Sequence, residues 1–197
     1  MAAAHYHEQQ SGSLCALHSS NNLLGRPQFT VDDFLTIKDD LGIPDVVGRC
    51  RCITSLPQCC CRRCRQDEGN FDANVITVAL AQHNIELHFW DTRNKDPAAI
   101  LRAMKKEICI GALVNTQSSY HNCITASAIR CLGICFGKNG HWVAVKLQNN
   151  QLVDLNSQLK LPKIYQEEAE IISYIDKHLN RGSHILLASR GTDDHNE

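Results

Sequence analysis

Cys15 is the side chain in this sequence best placed to act as a nucleophile. It lies in the first turn of a predicted helix with Ser13 as N-cap, where unpaired N–H groups and the positive end of the helix dipole favour a thiolate. Attack on a carbonyl carbon also needs donors for the oxyanion that forms. The N–H of Cys15 can supply one, and the side-chain amide of Gln10 is the candidate for the second. The alternative is a small, buried and inert cysteine.

A nucleophilic thiol needs a base, and His141 is the candidate among ten histidines because it opens a predicted strand. The imidazole in turn needs an acceptor that fixes its tautomer and tilt. Asp154 and Asn156 follow His141 along the chain and are the two candidates for that role. The alternative for His141 is a solvated side chain with no catalytic part.

A predicted hairpin ranks these two candidates. The segments on either side of Asn149 and Asn150 have strand patterns, and asparagine tolerates the positive φ that a tight turn needs. With a two-residue turn, Asn156 becomes a diagonal neighbour of His141 on one face, whereas Asp154 lies one pair further away. We therefore predict Asn156 as the orienting residue, with Asp154 in reserve. A one-residue change in the loop would move both residues to the face opposite His141.

Helical patterns dominate the first half of the chain and strand patterns the second, which indicates an α+β fold rather than alternating βα units. Gly25 is predicted to end the first helix, Thr30 to cap the second, and Asp72 and Asp96 to begin the third and fourth. The predicted helices cover residues 14–24, 31–41, 73 to about 84, 97 onward and 167–179. The predicted strands cover residues 85–90, 108–114, 141–147, 151–155 and 184–189.

The composition is that of one ordinary soluble domain. The 197 residues are 43% hydrophobic and 21% charged, which suffices for a core without disulfides or a metal. A net charge of −1 gives no general attraction to nucleic acid or anionic lipid. The longest apolar runs are far shorter than the ~20 residues of a transmembrane helix, and the first residues contain no secretory signal. We expect a monomer in a reducing compartment, the cytoplasm or the nucleus.

Eleven cysteines are an unusual feature, and six of them crowd into residues 50–64. These six are Cys50, Cys52, Cys59, Cys60, Cys61 and Cys64. The pairs at 50/52 and 61/64 would offer four thiolates, enough for a zinc ion. The pair spacings are unequal and no histidine completes a known pattern, so we expect free thiols in a surface loop and no metal. The arginines in the same stretch have no interleaved aromatic residues, which argues against nucleic acid binding.

Three blocks of the sequence resemble the Josephin domain, a papain-like cysteine-protease family that cleaves ubiquitin conjugates. The blocks are HEQQSGSLCALHSSNNLL at 7–24, GNFDANVITVAL at 69–80, and GHWVAV at 140–145 followed by DLNS at 154–157. The resemblance implies an α+β, papain-like fold with N-terminal helices packed on an antiparallel sheet. It assigns residues 1–189 to one catalytic domain, with atypical segments at 44–68 and 116–139. The short tail at 190–197 makes the chain similar to the small, single-domain josephins.

The resemblance also implies roles for four residues. Cys15 becomes the nucleophile, His141 the general base and acid, Asn156 the orienting group and Gln10 the oxyanion donor. The small josephins often carry aspartate where this chain has Asn156, and either side chain accepts the imidazole N–H. The implied reaction is hydrolysis of a peptide or isopeptide bond after the C-terminal glycine of ubiquitin, through a thioester. Ubiquitin and ubiquitin-conjugated proteins are therefore the expected partners, and no cofactor is expected.

Two other functions stay open at this point. If the segment at 44–68 distorts or covers the substrate groove, the chain would be a ubiquitin-binding module with little or no turnover. If the cysteine cluster binds zinc, the chain would be a metal-binding regulatory protein, and replacement of Cys61 and Cys64 would release the metal.

Overall fold

The structure, a computed structural model, describes residues 5–43, 71–91, 93–116 and 140–191. These ranges contain five α-helices and six β-strands. The helices are α1 (Cys15–Leu24), α2 (Val31–Asp40), α3 (Ala73–Ala81), α4 (Pro97–Met104) and α5 (Glu168–Asn180). The strands are β1 (Ile85–Phe89), β2 (Cys109–Thr116), β3 (His141–Gln148), β4 (Gln151–Leu155), β5 (Lys163–Tyr165) and β6 (His184–Arg190).

The six strands form one antiparallel sheet in the order β1-β6-β2-β3-β4-β5. Successive side chains alternate between its faces. Trp142 and Ala144 join the core formed with α1, α2 and α3, whereas Val143 and Val145 join the core formed with α4 and α5. The predicted α+β fold, with N-terminal helices on an antiparallel sheet, is confirmed, and α4 with α5 adds a helical layer on the second face. Among the described residues, no helix has both the length and the apolar character that a bilayer crossing requires.

The predicted capping residues account for four helix ends. Thr30 and Asp33 form a capping box at the start of α2, and the carboxylates of Asp72 and Asp96 accept backbone N–H groups at the starts of α3 and α4. Gly25 closes α1 in the left-handed conformation with φ 74°. These local bonds satisfy backbone groups that a helix leaves unpaired at its ends, so each boundary is set by a residue that the sequence already marks.

The start of α1 departs from the prediction. Its N-cap is Leu14 and not Ser13, and it has no side-chain cap. Gly12, just before it, turns the chain with φ 60°. The N–H groups of the first turn therefore stay available for another acceptor, and this is the turn that carries Cys15.

β3 and β4 form the predicted hairpin. Asn149 and Asn150 make the turn with φ of 51° and 61°, and the strands pair in the predicted register as far as Ala144 and Leu155. The ladder ends there, so it does not extend to His141 as the simple hairpin implies. Beyond Leu155 the chain leaves β3, and its side chains are free to contact the start of β3 in other ways.

Some features of the chain have no counterpart in the prediction, and some predictions lie outside the described residues. The edge strand β5, paired with β4, is too short for an alternating pattern to reveal it.

The described ranges leave out the cysteine-rich stretch at 44–68, residues 117–139 and residues 192–197. The expectation of free thiols in this stretch, and the alternative of zinc at Cys61 and Cys64, therefore both stay predictions.

Candidate active site

Cys15 is the first residue of α1 and contacts the start of β3. The backbone N–H groups of Trp142, Ala16 and Cys15 itself lie near its sulfur and favour the anionic form. Trp142 directly follows His141, so the structure brings the predicted nucleophile to the strand end that carries the predicted base. The Cys15 side chain is buried, with 6% of its surface exposed.

Burial raises the pKa of the Cys15 thiol above its ordinary value of 9.0, and the three N–H groups offset only part of that rise. The position of Cys15 at a helix start predicts the opposite, a favoured thiolate. That prediction is wrong because it includes the helix N–H groups and omits the loss of solvent around the sulfur. The resting side chain is therefore a neutral thiol at pH 7.

His141 is hydrogen-bonded to Asn156, the residue predicted to orient it. The Nε2 atom of His141 lies 2.7 Å from Oδ1 of Asn156, and the same oxygen accepts the N–H of Gln158 at 3.0 Å. A backbone N–H can only donate, so the atom that it faces is the amide oxygen and not the amide nitrogen. Nε2 of His141 is then the protonated nitrogen of the neutral ring, and Nδ1 is the nitrogen that can accept a proton.

The imidazole of His141 is half-buried. Burial lowers its pKa below the ordinary value of 6.5, and the bond to Asn156 acts in the opposite direction with a smaller effect. The ring is neutral at pH 7. Together with the neutral thiol of Cys15, this gives a resting site that contains no thiolate–imidazolium ion pair.

Asp154, the reserve candidate, bonds the orienting residue rather than the base. Its carboxylate accepts the N–H of Asn156 at 3.0 Å and the hydroxyl hydrogen of Tyr174 on α5. The side chain is buried, and burial raises its pKa, while these two bonds and nearby basic groups oppose the rise. Asp154 thus fixes the backbone of Asn156, and Asn156 fixes His141.

Gln10 is held against the chain that follows β4. Its backbone N–H donates to the carbonyl of Ser157 at 2.9 Å, and the hydroxyl of Ser157 donates to Oε1 of Gln10 at 2.9 Å. The Nε2 atom donates to the carbonyl of Gly12 at 3.2 Å. An amide nitrogen carries two hydrogens, so one of them has no recorded partner within the described ranges. Ser157 directly follows Asn156, which places Gln10 beside the loop that orients His141.

Three groups that support these side chains are not predicted from the sequence: the N–H of Trp142, the hydroxyl of Ser157 and the hydroxyl of Tyr174. Each meets its partner from a different part of the chain, and no spacing within the sequence marks such a pair. Ser157 lies in the DLNS block, which was the available signal. In the part of the chain that the structure describes, no group of three His, Cys, Asp or Glu side chains could hold a metal ion.

The sheet is antiparallel with N-terminal helices, a cysteine begins α1, and a histidine at the start of β3 binds an asparagine just after β4. This is the arrangement of a papain-like cysteine protease. The chain belongs to the Josephin family, whose family model matches residues 10–189. It is 27% identical to a Josephin-like protein of Drosophila melanogaster over 92% of this chain and 72% of that protein. It is 24% identical to Josephin-2 of Homo sapiens over 90% of this chain and 81% of that protein. Family membership implies ubiquitin-related partners and supports a deubiquitinase-type function.

Proposed function

We propose that this chain is a cysteine-dependent deubiquitinase that hydrolyses peptide and isopeptide bonds after the C-terminal glycine of ubiquitin. The observation that carries the proposal is the 2.7 Å bond between His141 and Asn156. His141 opens β3, and the N–H of the next residue, Trp142, lies near the sulfur of Cys15. Membership of the Josephin family supports ubiquitin as the substrate. Hydrolysis of this kind needs a nucleophile, a base and an oriented imidazole, and the chain carries a residue for each.

The first half of the reaction forms a thioester. Nδ1 of His141 takes the proton from the thiol of Cys15 as the sulfur attacks the carbonyl carbon of the ubiquitin glycine. The oxyanion that forms accepts hydrogen bonds from the N–H of Cys15 and from the side-chain amide of Gln10. Protonated His141 then gives its proton to the leaving amine, the carbon–nitrogen bond breaks, and ubiquitin remains bound to Cys15 as an acyl group.

The second half releases ubiquitin. His141 removes a proton from a water molecule, and the resulting hydroxide attacks the thioester carbonyl. The carbon–sulfur bond breaks, the sulfur takes the proton back, and ubiquitin leaves with a free C-terminal carboxylate. Asn156 accepts the Nε2 hydrogen throughout, so the ring keeps the same nitrogen directed at the reacting atoms.

A second candidate function, ubiquitin binding with little or no turnover, is favoured by the burial of Cys15. Only 6% of that side chain is exposed, and its pKa is raised by the loss of solvent. A scissile carbonyl must come within bonding distance of the sulfur, which a buried thiol opposes. Under this alternative, the chain binds ubiquitin without hydrolysing it. The substitution Cys15→Ala then leaves ubiquitin binding unchanged.

Hydrolysis of ubiquitin carrying a C-terminal fluorogenic amide tests the proposal. Cys109 offers a matched control because it is also a free thiol and burial also raises its pKa. We expect hydrolysis by the wild type and by Cys109→Ala, and none above the uncatalysed rate by Cys15→Ala. A wild type that binds ubiquitin and does not hydrolyse this substrate would select the second candidate.

A further inference from the structure

The imidazole of His18 connects both ends of the short segment that carries Gln10. Its Nδ1 lies 2.7 Å from Oε2 of Glu8, and its Nε2 accepts the backbone N–H of Ser11 at 3.4 Å. We propose that His18 is a positioning residue for the hydrolysis: by binding Glu8 and Ser11 it fixes Gln10 relative to Cys15. The inference rests on the proposed function, because it assigns His18 a part in oxyanion stabilisation through Gln10.

The two contacts define one tautomer of the His18 ring. A carboxylate has no hydrogen to donate, so the nitrogen that faces Glu8 carries the hydrogen. The other nitrogen then has a lone pair, which suits the N–H of Ser11. Both ring nitrogens therefore have partners within residues 8–11, on either side of Gln10.

Glu8 is itself held in place by other residues, so its bond to His18 fixes the orientation of the His18 ring. The carboxylate of Glu8 also accepts the amide of Asn21 at 3.2 Å and the hydroxyl of Tyr6. The backbone of Glu8 exchanges two hydrogen bonds with the side chain of Asn22, at 2.5 and 3.2 Å. Asn21 and Asn22 are buried residues of α1. These bonds hold Glu8 to α1 independently of His18.

Ser11, in contrast to Glu8, is held to α1 through its contact with His18. Ser11 is exposed and lies before Gly12, which has φ 60° and, because it has no Cβ, can readily adopt other backbone conformations. The recorded bond from Ser11 to α1 is the one to His18. On α1, His18 is three residues after Cys15 and thus on a neighbouring part of the helix surface. Removal of His18 should therefore loosen Ser11 and Gly12, next to Gln10, and leave Glu8 and the helix in place.

Gln10 is held from two sides, and the contact between His18 and Ser11 provides one of them. On one side, Ser157 binds both its backbone and its side chain at 2.9 Å. On the other side, His18 fixes the neighbouring Ser11 to the helix that carries Cys15. An oxyanion donor that moves by about 1 Å can lower the rate by roughly 100-fold. The geometry thus makes His18 responsible for the distance between the donor and the nucleophile.

Three substitutions at His18 separate its two contacts. His18→Gln can present a carbonyl oxygen near the position of Nε2 and keep an acceptor for Ser11, whereas His18→Asn can present a donor near Nδ1 for Glu8 only. His18→Ala removes both. We expect kcat for ubiquitin C-terminal amide hydrolysis to fall roughly 10- to 100-fold in His18→Ala and His18→Asn, with KM nearly unchanged and His18→Gln closer to the wild type. His184→Ala, at an exposed histidine of β6, should behave as the wild type.

A double-mutant cycle with Gln10→Ala shows whether His18 acts through Gln10. If it does, His18→Ala lowers kcat little further when Gln10 is already absent. A merely structural role predicts the same loss in both backgrounds, in parallel with a lower melting temperature. Equal kcat values for His18→Gln and His18→Asn, or an equal loss in both backgrounds, would overturn the proposal.

Backbone amide relaxation of Ser11 and Gly12 separates a failure of this inference from a failure of the proposed function. We expect order parameters near those of rigid backbone, about 0.85, in the wild type and His18→Gln, and values below about 0.6 in His18→Asn and His18→Ala. Identical order parameters in all four proteins would refute the positioning by His18, whatever the activity. An inactive wild type with the expected order parameters would instead refute the deubiquitinase function, and with it the catalytic consequence of the positioning.

Discussion

Oδ1 of Asn156 accepts two hydrogen bonds, from Nε2 of His141 at 2.7 Å and from the N–H of Gln158 at 3.0 Å. The backbone donor at Gln158 prevents the amide from turning its nitrogen toward the ring. A flipped amide would place two donors face to face, which costs free energy in a partly buried site. Asn156 can therefore only accept a hydrogen bond from His141, and this keeps Nδ1 of His141 as the basic nitrogen.

The first prediction concerns Asn156. Asn156→Ala should lower kcat/KM for the ubiquitin amide about 100-fold, because an imidazole without its acceptor loses both tautomer and tilt. Asn156→Asp keeps an acceptor oxygen and adds a negative charge, which raises the pKa of His141 and moves the acid limb of the pH–rate profile to higher pH. Exposed Asn180 serves as a control position. Wild-type kinetics in Asn156→Ala would contradict this assignment.

The second prediction concerns the charge state of the resting site. Because burial raises the pKa of Cys15 above 9.0 and lowers that of His141 below 6.5, neither group is charged at pH 7. The rate of Cys15 alkylation by iodoacetamide in the absence of ubiquitin should therefore rise with pH through 9 and beyond. Peptide mapping of the modified protein measures this rate for Cys15 alone. A rate that is already at its plateau by pH 6 would indicate an ion pair and refute the prediction.

The third prediction separates Asp154 from Asn156. Asp154→Asn can still accept the N–H of Asn156, so kcat should stay within a few-fold of the wild type. Asp154→Ala leaves that N–H and the hydroxyl of Tyr174 without their partner, which should destabilise the fold by about 1–3 kcal/mol. Urea unfolding and steady-state kinetics of both variants provide the measurement. The prediction fails if Asp154→Asn is as inactive as Asn156→Ala, since Asp154 would then act on His141 directly.

The fourth prediction concerns stability at acid pH. His178 on α5 is buried, packs with its ring centroid 4.7 Å from that of Tyr174, and has a pKa lowered to about 4 by burial. Between pH 6.5 and 4 the unfolded chain binds a proton at His178 and the folded chain does not, so stability falls as pH falls through this window. The loss should reach roughly 3 kcal/mol below pH 4.

His178→Phe tests this prediction because phenylalanine keeps an aromatic ring and cannot titrate. Urea unfolding of both proteins at pH 4 and pH 7 gives the two free energies of unfolding. We expect the wild type to lose more stability on acidification than His178→Phe, by roughly the amount above. The same loss in both proteins would mean that other groups cause the acid sensitivity.

The sequence predicts those parts of the fold that depend on local backbone chemistry. Asn149 and Asn150 mark a tight turn, and the turn sets the register of β3 and β4 as far as Ala144 and Leu155. Thr30 caps its helix as predicted because a cap bonds residues only a few positions away. These features need no information from distant parts of the chain.

The remaining features depend on tertiary contacts. The pKa of Cys15 is set mainly by how much solvent the fold removes, and the sequence contains no measure of that burial. The sequence ranks Asp154 behind Asn156 but does not reveal its role, because its partner Tyr174 lies on α5, a different layer of the fold. Ser157 holds Gln10 across 147 residues of chain. Each of these is a contact between elements that only the folded structure brings together.

Intact-mass measurement after reaction with ubiquitin that carries a C-terminal propargyl group tests the central claim most directly. The S–H group adds across the alkyne, which takes the place of the C-terminal glycine carbonyl, so the probe bonds only a thiol that is placed at the C-terminus of bound ubiquitin. We expect the mass to increase by one ubiquitin in the wild type and in Cys109→Ala, with the modified peptide containing Cys15, and no increase in Cys15→Ala. An unmodified wild-type mass, or an adduct that persists in Cys15→Ala, would contradict the account.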